Sequence, residues 1–85
     1  MLKIEDWAIL GHPLGITVPK LNGKVYGHTK FVEGESIITS AIIGKRNGRV
    51  VTKSGSEYIL GKVNLDYERE YPGALERVME SLVNV

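Results

Sequence analysis

The sequence predicts a mainly β fold, a small SH3-like or OB-like barrel or bent antiparallel sheet of about four to six short strands with a C-terminal α-helix. Two observations predict it. β-Branched and aromatic residues occur in short runs that glycine, asparagine, proline or serine interrupt, and nine of the ten glycines lie at or before Gly61. After residue 62 the apolar residues take the spacing of a helix instead.

The predicted strands are, in chain order, residues 6–10, 24–32, 36–43, 49–53 and 57–60. Between the first two, glycines and prolines make residues 11–22 a loop with a short extended stretch at 16–18. Asn22-Gly23 is predicted to be a turn. Residues 36–43 carry isoleucines at both odd and even positions, so we expect this strand to be buried on both faces.

Three turns are predicted from glycine and its neighbours. Asn47-Gly48 is the strongest hairpin signal, because both residues tolerate the positive φ angles that a type I′ turn needs. Ser54-Gly55-Ser56 is expected to connect the last two strands tightly, and Glu33-Gly34-Glu35 to reverse the chain before residue 36.

A helix is predicted over residues 72–83, with a short helical turn at 66–70. Its apolar face follows the i, i+3, i+4, i+7, i+8 pattern and consists of Leu75, Val78, Met79, Leu82 and Val83. Pro72 suits the first helical turn. We expect this face to pack over the barrel or onto another protomer.

The 85 residues are expected to form one domain, with a β-rich, basic part (1–62) and a helical, acidic part (63–85). The first part has nine basic and five acidic residues, and the second has two and five, for a net charge of +1. The absence of cysteine excludes disulfides and suits a reducing compartment, so we expect a cytoplasmic protein. No secretory signal or membrane span is predicted.

Catalysis is poorly supported by the residues present. There is no G-x-S-x-G elbow, and His12 and His28 are the two imidazoles in the chain. They lack the clustered spacing of metal ligands. We therefore expect no enzyme activity, no metal and no cofactor.

The strongest candidate site is the basic, acid-free stretch at residues 44–56, where cations and hydroxyls surround a glycine turn. In this hypothesis three cations meet phosphate, the Ser-Gly-Ser turn forms an anion nest, a tyrosine or histidine contacts a base or ribose, and two strand hydroxyls assist. These residues are Arg46, Arg49, Lys53, Ser54, Gly55, Ser56, Tyr58, His28, Thr39 and Ser40. The alternative is a charged hairpin that only keeps an edge strand from pairing.

Three stretches carry a resemblance. The first is Ile38-Thr39-Ser40-x-Ile42 followed by Gly48-Arg49-x-Val51-x-x-Ser54-Gly55-Ser56-x-Tyr58-x-Leu60-Gly61, and the others are Trp7-x-Ile9-x-Gly11 and the pattern from Pro19 to His28. Together they resemble small proteins of phages and prophages, most of which have no assigned function. By analogy, compact phage proteins of this kind include anti-defence proteins that oligomerise and sequester cyclic nucleotide or cyclic ADP-ribose immune signals. The resemblance implies binding without chemistry in the host cytoplasm.

Three functions therefore remain open. The leading hypothesis is a homo-oligomer that sequesters a small, anionic, nucleotide-like ligand, with the site between subunits. The first alternative is an SH3-like interaction module that inhibits or recruits a host protein. The second is a small nucleic-acid-binding barrel, although the near-neutral charge argues against strong phosphate-driven affinity.

Overall fold

A computed structural model of the chain describes residues 2–11 and 19–85, so the predictions for His12 and for residues 16–18 lie outside the described residues. The strands are β1 (Lys3–Leu10), β2 (Lys20–Tyr26), β3 (Glu35–Arg46), β4 (Arg49–Thr52) and β5 (Glu57–Leu60). Two short helices follow, α1 (Leu65–Glu70) and α2 (Ala74–Ser81). The predicted fold class, a mainly β barrel with a C-terminal helix, is confirmed.

The five strands close into a barrel in sequence order, β1-β2-β3-β4-β5. Each neighbouring pair is antiparallel except β1 and β5, which run parallel, with Lys3 opposite Ile59 and Ile4 opposite Leu60. The parallel seam follows from the strand number, because strand direction alternates in a meander and the first and fifth strands must point the same way. This order is a meander and differs from the Greek-key order of an OB-fold.

The core lies inside the barrel and extends under the helices. Trp7, Ile4, Leu21, Val25 and Val50 are its largest completely buried apolar side chains. Partly buried residues from α1 and α2 pack against this cluster. The helices therefore complete the core of the barrel.

A β-bulge in β1 places Trp7 in this core. Glu5 pairs with Lys24 and Ala8 pairs with Asn22, so β1 has one more residue than β2 between these two pairs. Asp6, within this bulge, has a φ of 52°. Gly23 of β2 lies against the bulge, where a Cβ would be 2.6 Å from Ile4 Cγ2. The prediction of a turn at Asn22-Gly23 is wrong, because the glycine serves this close approach inside a strand rather than a reversal.

Strand β2 ends earlier than predicted. β2 ends at Tyr26, and Gly27 and Gly34 have positive φ angles on either side of the connection to β3. The prediction of a strand over 24–32 is therefore wrong beyond residue 26. The predicted turn at Glu33-Gly34-Glu35 is confirmed, since Glu35 N donates to Val32 O at 3.0 Å across it.

Strand β3 is bent, and only one of its faces is buried at any point. Its buried residues change from odd positions, Ile37 and Thr39, to even positions, Ile42 and Gly44. The register against β2 shifts between Ile38 and Ala41, so an extra residue in β3 reverses the alternation. Ile38 and Ile43 are consequently 59% and 48% exposed, and the prediction that both faces are buried is wrong.

Both tight turns of the second half are confirmed. Arg46 pairs with Arg49 across the two-residue turn, in which Asn47 and Gly48 have φ angles of 52° and 76°. Gly55, with a φ of 93°, lies in the short connection between β4 and β5.

The predicted helices are confirmed, with shifted details. The longer one begins at Ala74 after Gly73, whose φ is 74°, so Pro72 precedes the helix instead of entering its first turn. The helix face that packs on the barrel contains Ala74, Val78 and Met79, so Ala74 is buried and the predicted Leu75 is exposed. No helix in the described part of the chain is long and apolar enough to cross a membrane.

Candidate functional site

The arginines of the predicted anion site have different surroundings. Arg46 Nη1 lies 3.3 Å from Glu57 Oε2, and Arg46 Nε donates to the main-chain oxygen of Val85 at 3.1 Å. Arg49 forms no ion pair with a described residue. Arg46 is thus engaged within the chain, by an acid that follows the predicted site in sequence.

The Ser-Gly-Ser turn uses most of its donors internally. Ser54 N donates to Ser40 Oγ at 3.1 Å, and Gly55 N donates to Thr52 O at 2.9 Å. Two of the three N–H groups expected to converge on an anion are therefore occupied by the fold itself.

A cluster of three hydroxyls joins this turn to β3. Ser54 Oγ lies 3.2 Å from both Ser40 Oγ and Thr52 Oγ1, and Lys53 beside it is exposed without a described ion-pair partner. These hydroxyls connect β3, at the position where its buried face changes, to the end of β4 and the following turn. Ser40 and Ser54 are brought together as the site hypothesis requires.

Three other predicted residues lie elsewhere. Tyr58 is only 4% exposed and belongs to the core, so its ring is not presented to a ligand. Thr39 is buried, and its Oγ1 accepts from Leu21 N at 3.0 Å. His28 lies in the β2–β3 connection, packed edge-on against Phe31 at 4.7 Å. From the start of β3 to Ser40 the strand extends roughly 16 Å, which separates His28 from the turn.

Arg49, Gly55 and Ser56 do come together. With Leu2 and Glu57 they line an open hollow of about 510 Å³. Its described lining includes no aromatic side chain against which a base would stack. The predicted site is therefore divided into this hollow, the hydroxyl cluster with Lys53, the Arg46–Glu57 pair and three separate positions.

A second concavity lies between the barrel and the helices, and we call it the helix–barrel groove. Its volume is about 530 Å³. Ile9, Leu10, Pro19 and Ile42 form the barrel side. The helical side consists of Tyr67, Tyr71, Ala74, Val78 and Leu82, with Arg77 and Ser81 as polar groups.

The helical wall is held at both ends of α2. At its N-terminus, Glu68 accepts hydrogen bonds from Gly73 N at 2.9 Å and Ala74 N at 3.2 Å. At its C-terminus, Lys45 Nζ donates to Met79 O. Glu68 therefore links α2 to α1, and Lys45 links α2 to β3 of the barrel, both from outside the groove lining.

Aromatic packing positions the two tyrosines. The Tyr67 ring lies 6.2 Å from Trp7 and 5.0 Å from Tyr71 between ring centroids. Burial raises the pKa of Tyr67, with further increases from nearby Tyr71 and Glu70 and a partial offset from a main-chain hydrogen bond at Ile9. The Tyr67 hydroxyl stays neutral at physiological pH and is able to donate a hydrogen bond.

The groove has one charged side chain among its described lining residues, Arg77, which forms no ion pair with a described residue. An unpaired guanidinium beside an apolar surface offers charge-assisted hydrogen bonds to one anionic group. The sequence patterns did not indicate this candidate site. The available signal was Tyr67 and Tyr71, four residues apart, which a helix places on one face.

No group of histidine, cysteine and acidic residues in the described chain is arranged to hold a metal ion. No protein-family model matches the chain, and neither a curated protein nor a solved structure shows significant similarity to it.

Proposed function

We propose that the protein is a non-enzymatic binding protein that sequesters a small nucleotide-like anion in the helix–barrel groove. The observation that carries the proposal is the composition of the described groove lining, which has apolar walls, two tyrosines and one cation, Arg77, that forms no ion pair with a described residue. This moves the predicted function from the basic turn to a different part of the molecule.

Size and lining both support a small ligand. A volume of about 530 Å³ falls within the range of about 300–1,000 Å³ typical of small-molecule sites, which are mostly apolar with few polar groups. The rings of Tyr67 and Tyr71 provide a surface for a flat base. Ser81, also in the lining, adds a hydroxyl.

The described lining residues include one cation, Arg77, which is exposed. Arg77 neutralises one negative charge, and a further charge placed against the apolar walls would be desolvated without a described partner. A cyclic mononucleotide, with one phosphodiester, therefore fits better than a dinucleotide or a polyphosphate. If the chain acts in anti-defence, as the phage resemblance implies, the sequestered ligand is a cyclic nucleotide immune signal.

The test is calorimetric titration at fixed salt with cyclic mononucleotides, cyclic dinucleotides and cyclic ADP-ribose isomers. We expect a cyclic mononucleotide to bind best and Arg77→Gln to weaken it about 10- to 100-fold, the value of a charge-assisted hydrogen bond. The matched control is Arg69→Gln, because Arg69 lies on α1 outside the groove lining and pairs with Asp66 at 3.5 Å. No binding across the panel would refute the proposal.

The same ligand class has a second candidate location, at the hydroxyl cluster and its adjacent cations. Ser40, Ser54 and the exposed Lys53 lie together there, and Arg49 lines the neighbouring hollow. If Lys53→Gln and Arg49→Gln weaken binding while Arg77→Gln does not, the ligand binds at this corner. The two outcomes are exclusive because the residues lie on different elements.

A further inference from the structure

The outer edge of β3 at Lys45 carries an additional strand. Lys45 lies opposite Val50 of β4, yet its main-chain N–H donates to Val83 O at 2.8 Å and its carbonyl accepts from Val85 N at 3.0 Å. Asn84 thereby forms an isolated parallel bridge with Lys45. Residues 83–85 thus occupy the edge in the hydrogen-bonding pattern of an added strand.

Gly44 shapes the surface against which this segment lies. A Cβ there would be 2.5 Å from Val83 O and 2.7 Å from Val85 Cγ1. Any other residue would push the added strand off the edge. The edge therefore combines outward-facing main-chain groups at Lys45, which bond to this segment, with an adjacent position that has no side chain.

The segment is held by few contacts. Besides the two main-chain hydrogen bonds at Lys45, Arg46 Nε contacts Val85 O at 3.1 Å. The side chains of Val83 and Val85 are 66% and 45% exposed. Parallel pairing of this kind is the weaker of the two strand arrangements, so an extended segment with more contacts would replace it.

We propose that this edge is a β-strand-addition site for an extended segment of a protein partner, and that residues 83–85 occupy it as a built-in competitor. The bound segment defines the partner's chemistry as apolar–any–apolar, with the two apolar residues lying against Gly44. Lys45 and Arg46 make the surroundings basic, so an acidic group next to the second apolar residue is favoured. The site lies outside the groove lining, but it is adjacent to the groove, because Lys45 Nζ donates to Met79 O of α2 and Leu82 lines the groove.

The test uses a variant that ends at Leu82 and a synthetic peptide carrying residues 82–85 followed by a glutamate. In NMR titrations we expect amide shifts centred on Lys45 and Arg46, and binding at least about tenfold tighter to the shortened variant than to the full chain, whose own segment competes at a high effective concentration. N-methylation of the peptide at the position of Val85 removes the donor to Lys45 and should abolish binding. N-methylation at the position of Asn84, whose N–H has no described partner, should preserve it.

A second pair of variants covers the case in which the shortened chain does not fold. In the full chain, Val85→Pro removes the N–H that bonds to Lys45, whereas Val85→Ala keeps it. We expect the peptide to bind Val85→Pro more tightly than the full chain, and to bind Val85→Ala no more tightly than the full chain. The proposal would be overturned if the peptide bound the full chain as tightly as it bound the variant ending at Leu82 or Val85→Pro. It would also be overturned if the peptide caused no amide shifts at Lys45 in either of those two variants.

Discussion

Asn64 connects the bulge of β1 to the first turn of α1. Its Nδ2 donates to Asp6 Oδ1 at 2.9 Å, while its Oδ1 accepts from Tyr67 N at 3.1 Å as the helix N-cap. Asp6 has a φ of 52°, a left-handed conformation that aspartate and asparagine tolerate better than most residues. One amide therefore holds both the strained residue and the helix that carries Tyr67 into the groove.

Two substitutions of Asn64 should destabilise the protein to different extents. We expect Asn64→Ala to lower the free energy of unfolding by about 1–2 kcal/mol, because it removes both the cap and the bond to Asp6. Asn64→Ser keeps a capping oxygen and should lose less. Urea denaturation measures both, and an unchanged midpoint for Asn64→Ala would show that the amide contributes nothing.

The close approach at Gly23 predicts a large effect for a small substitution. A Cβ there would meet Ile4 Cγ2 at 2.6 Å and the main-chain oxygen of Glu5 at 2.9 Å. We expect Gly23→Ala to cost about 1–3 kcal/mol through overpacking. Gly55→Ala, which has open space but a positive φ, should cost about 1 kcal/mol. Equal melting temperatures for Gly23→Ala and the wild type would contradict the strand packing.

The Arg46–Glu57 pair should matter little for stability. Both side chains are partly exposed, at 48% and 31%, and surface pairs contribute about 0–1 kcal/mol. Glu57→Gln should therefore shift the thermal midpoint slightly at low salt and not at all in 1 M salt, where the Debye length is about 3 Å. A loss that persists in high salt would mean that Glu57 acts through packing instead.

Tyr67 should make stability fall at alkaline pH. Its pKa is raised above the ordinary value of 10.0, so the folded state favours the neutral phenol. Its contribution is fully present below pH 10 and is lost as the pH rises through the higher folded pKa. Thermal midpoints between pH 8 and 11 should fall less steeply for Tyr67→Phe than for the wild type. Tyr26→Phe, outside the groove lining, is the control, and parallel curves for Tyr67→Phe and wild type would refute the assignment.

Predictions from short sequence signals succeeded where neighbouring residues alone decide the conformation. Asn47-Gly48 turns the chain because its own φ angles suit a hairpin. The same dipeptide at Asn22-Gly23 lies in a strand, because the packing of β2 against the β1 bulge outweighs its turn preference. Nothing within the local sequence separates the two cases.

The candidate site shows the same division. Residues 44–56 form a continuous basic stretch, but the strands turn Arg46 toward Glu57 and bury Tyr58. Arg77 and Tyr71 reach the groove only because α2 is anchored to Glu68 and Lys45. Composition therefore indicated which residue types a candidate site would use, but not which of them lie together.

Local propensity and apolar periodicity were sufficient for the fold class, the hairpin at Asn47-Gly48 and the two helices, since these depend on residues close in sequence. Tertiary packing decided the bulges, the exposed side of β3, the closing of the barrel and the position of the groove. Those features depend on contacts between distant residues, such as Asp6 with Asn64, and a single added residue in a strand reverses which side chains face inward.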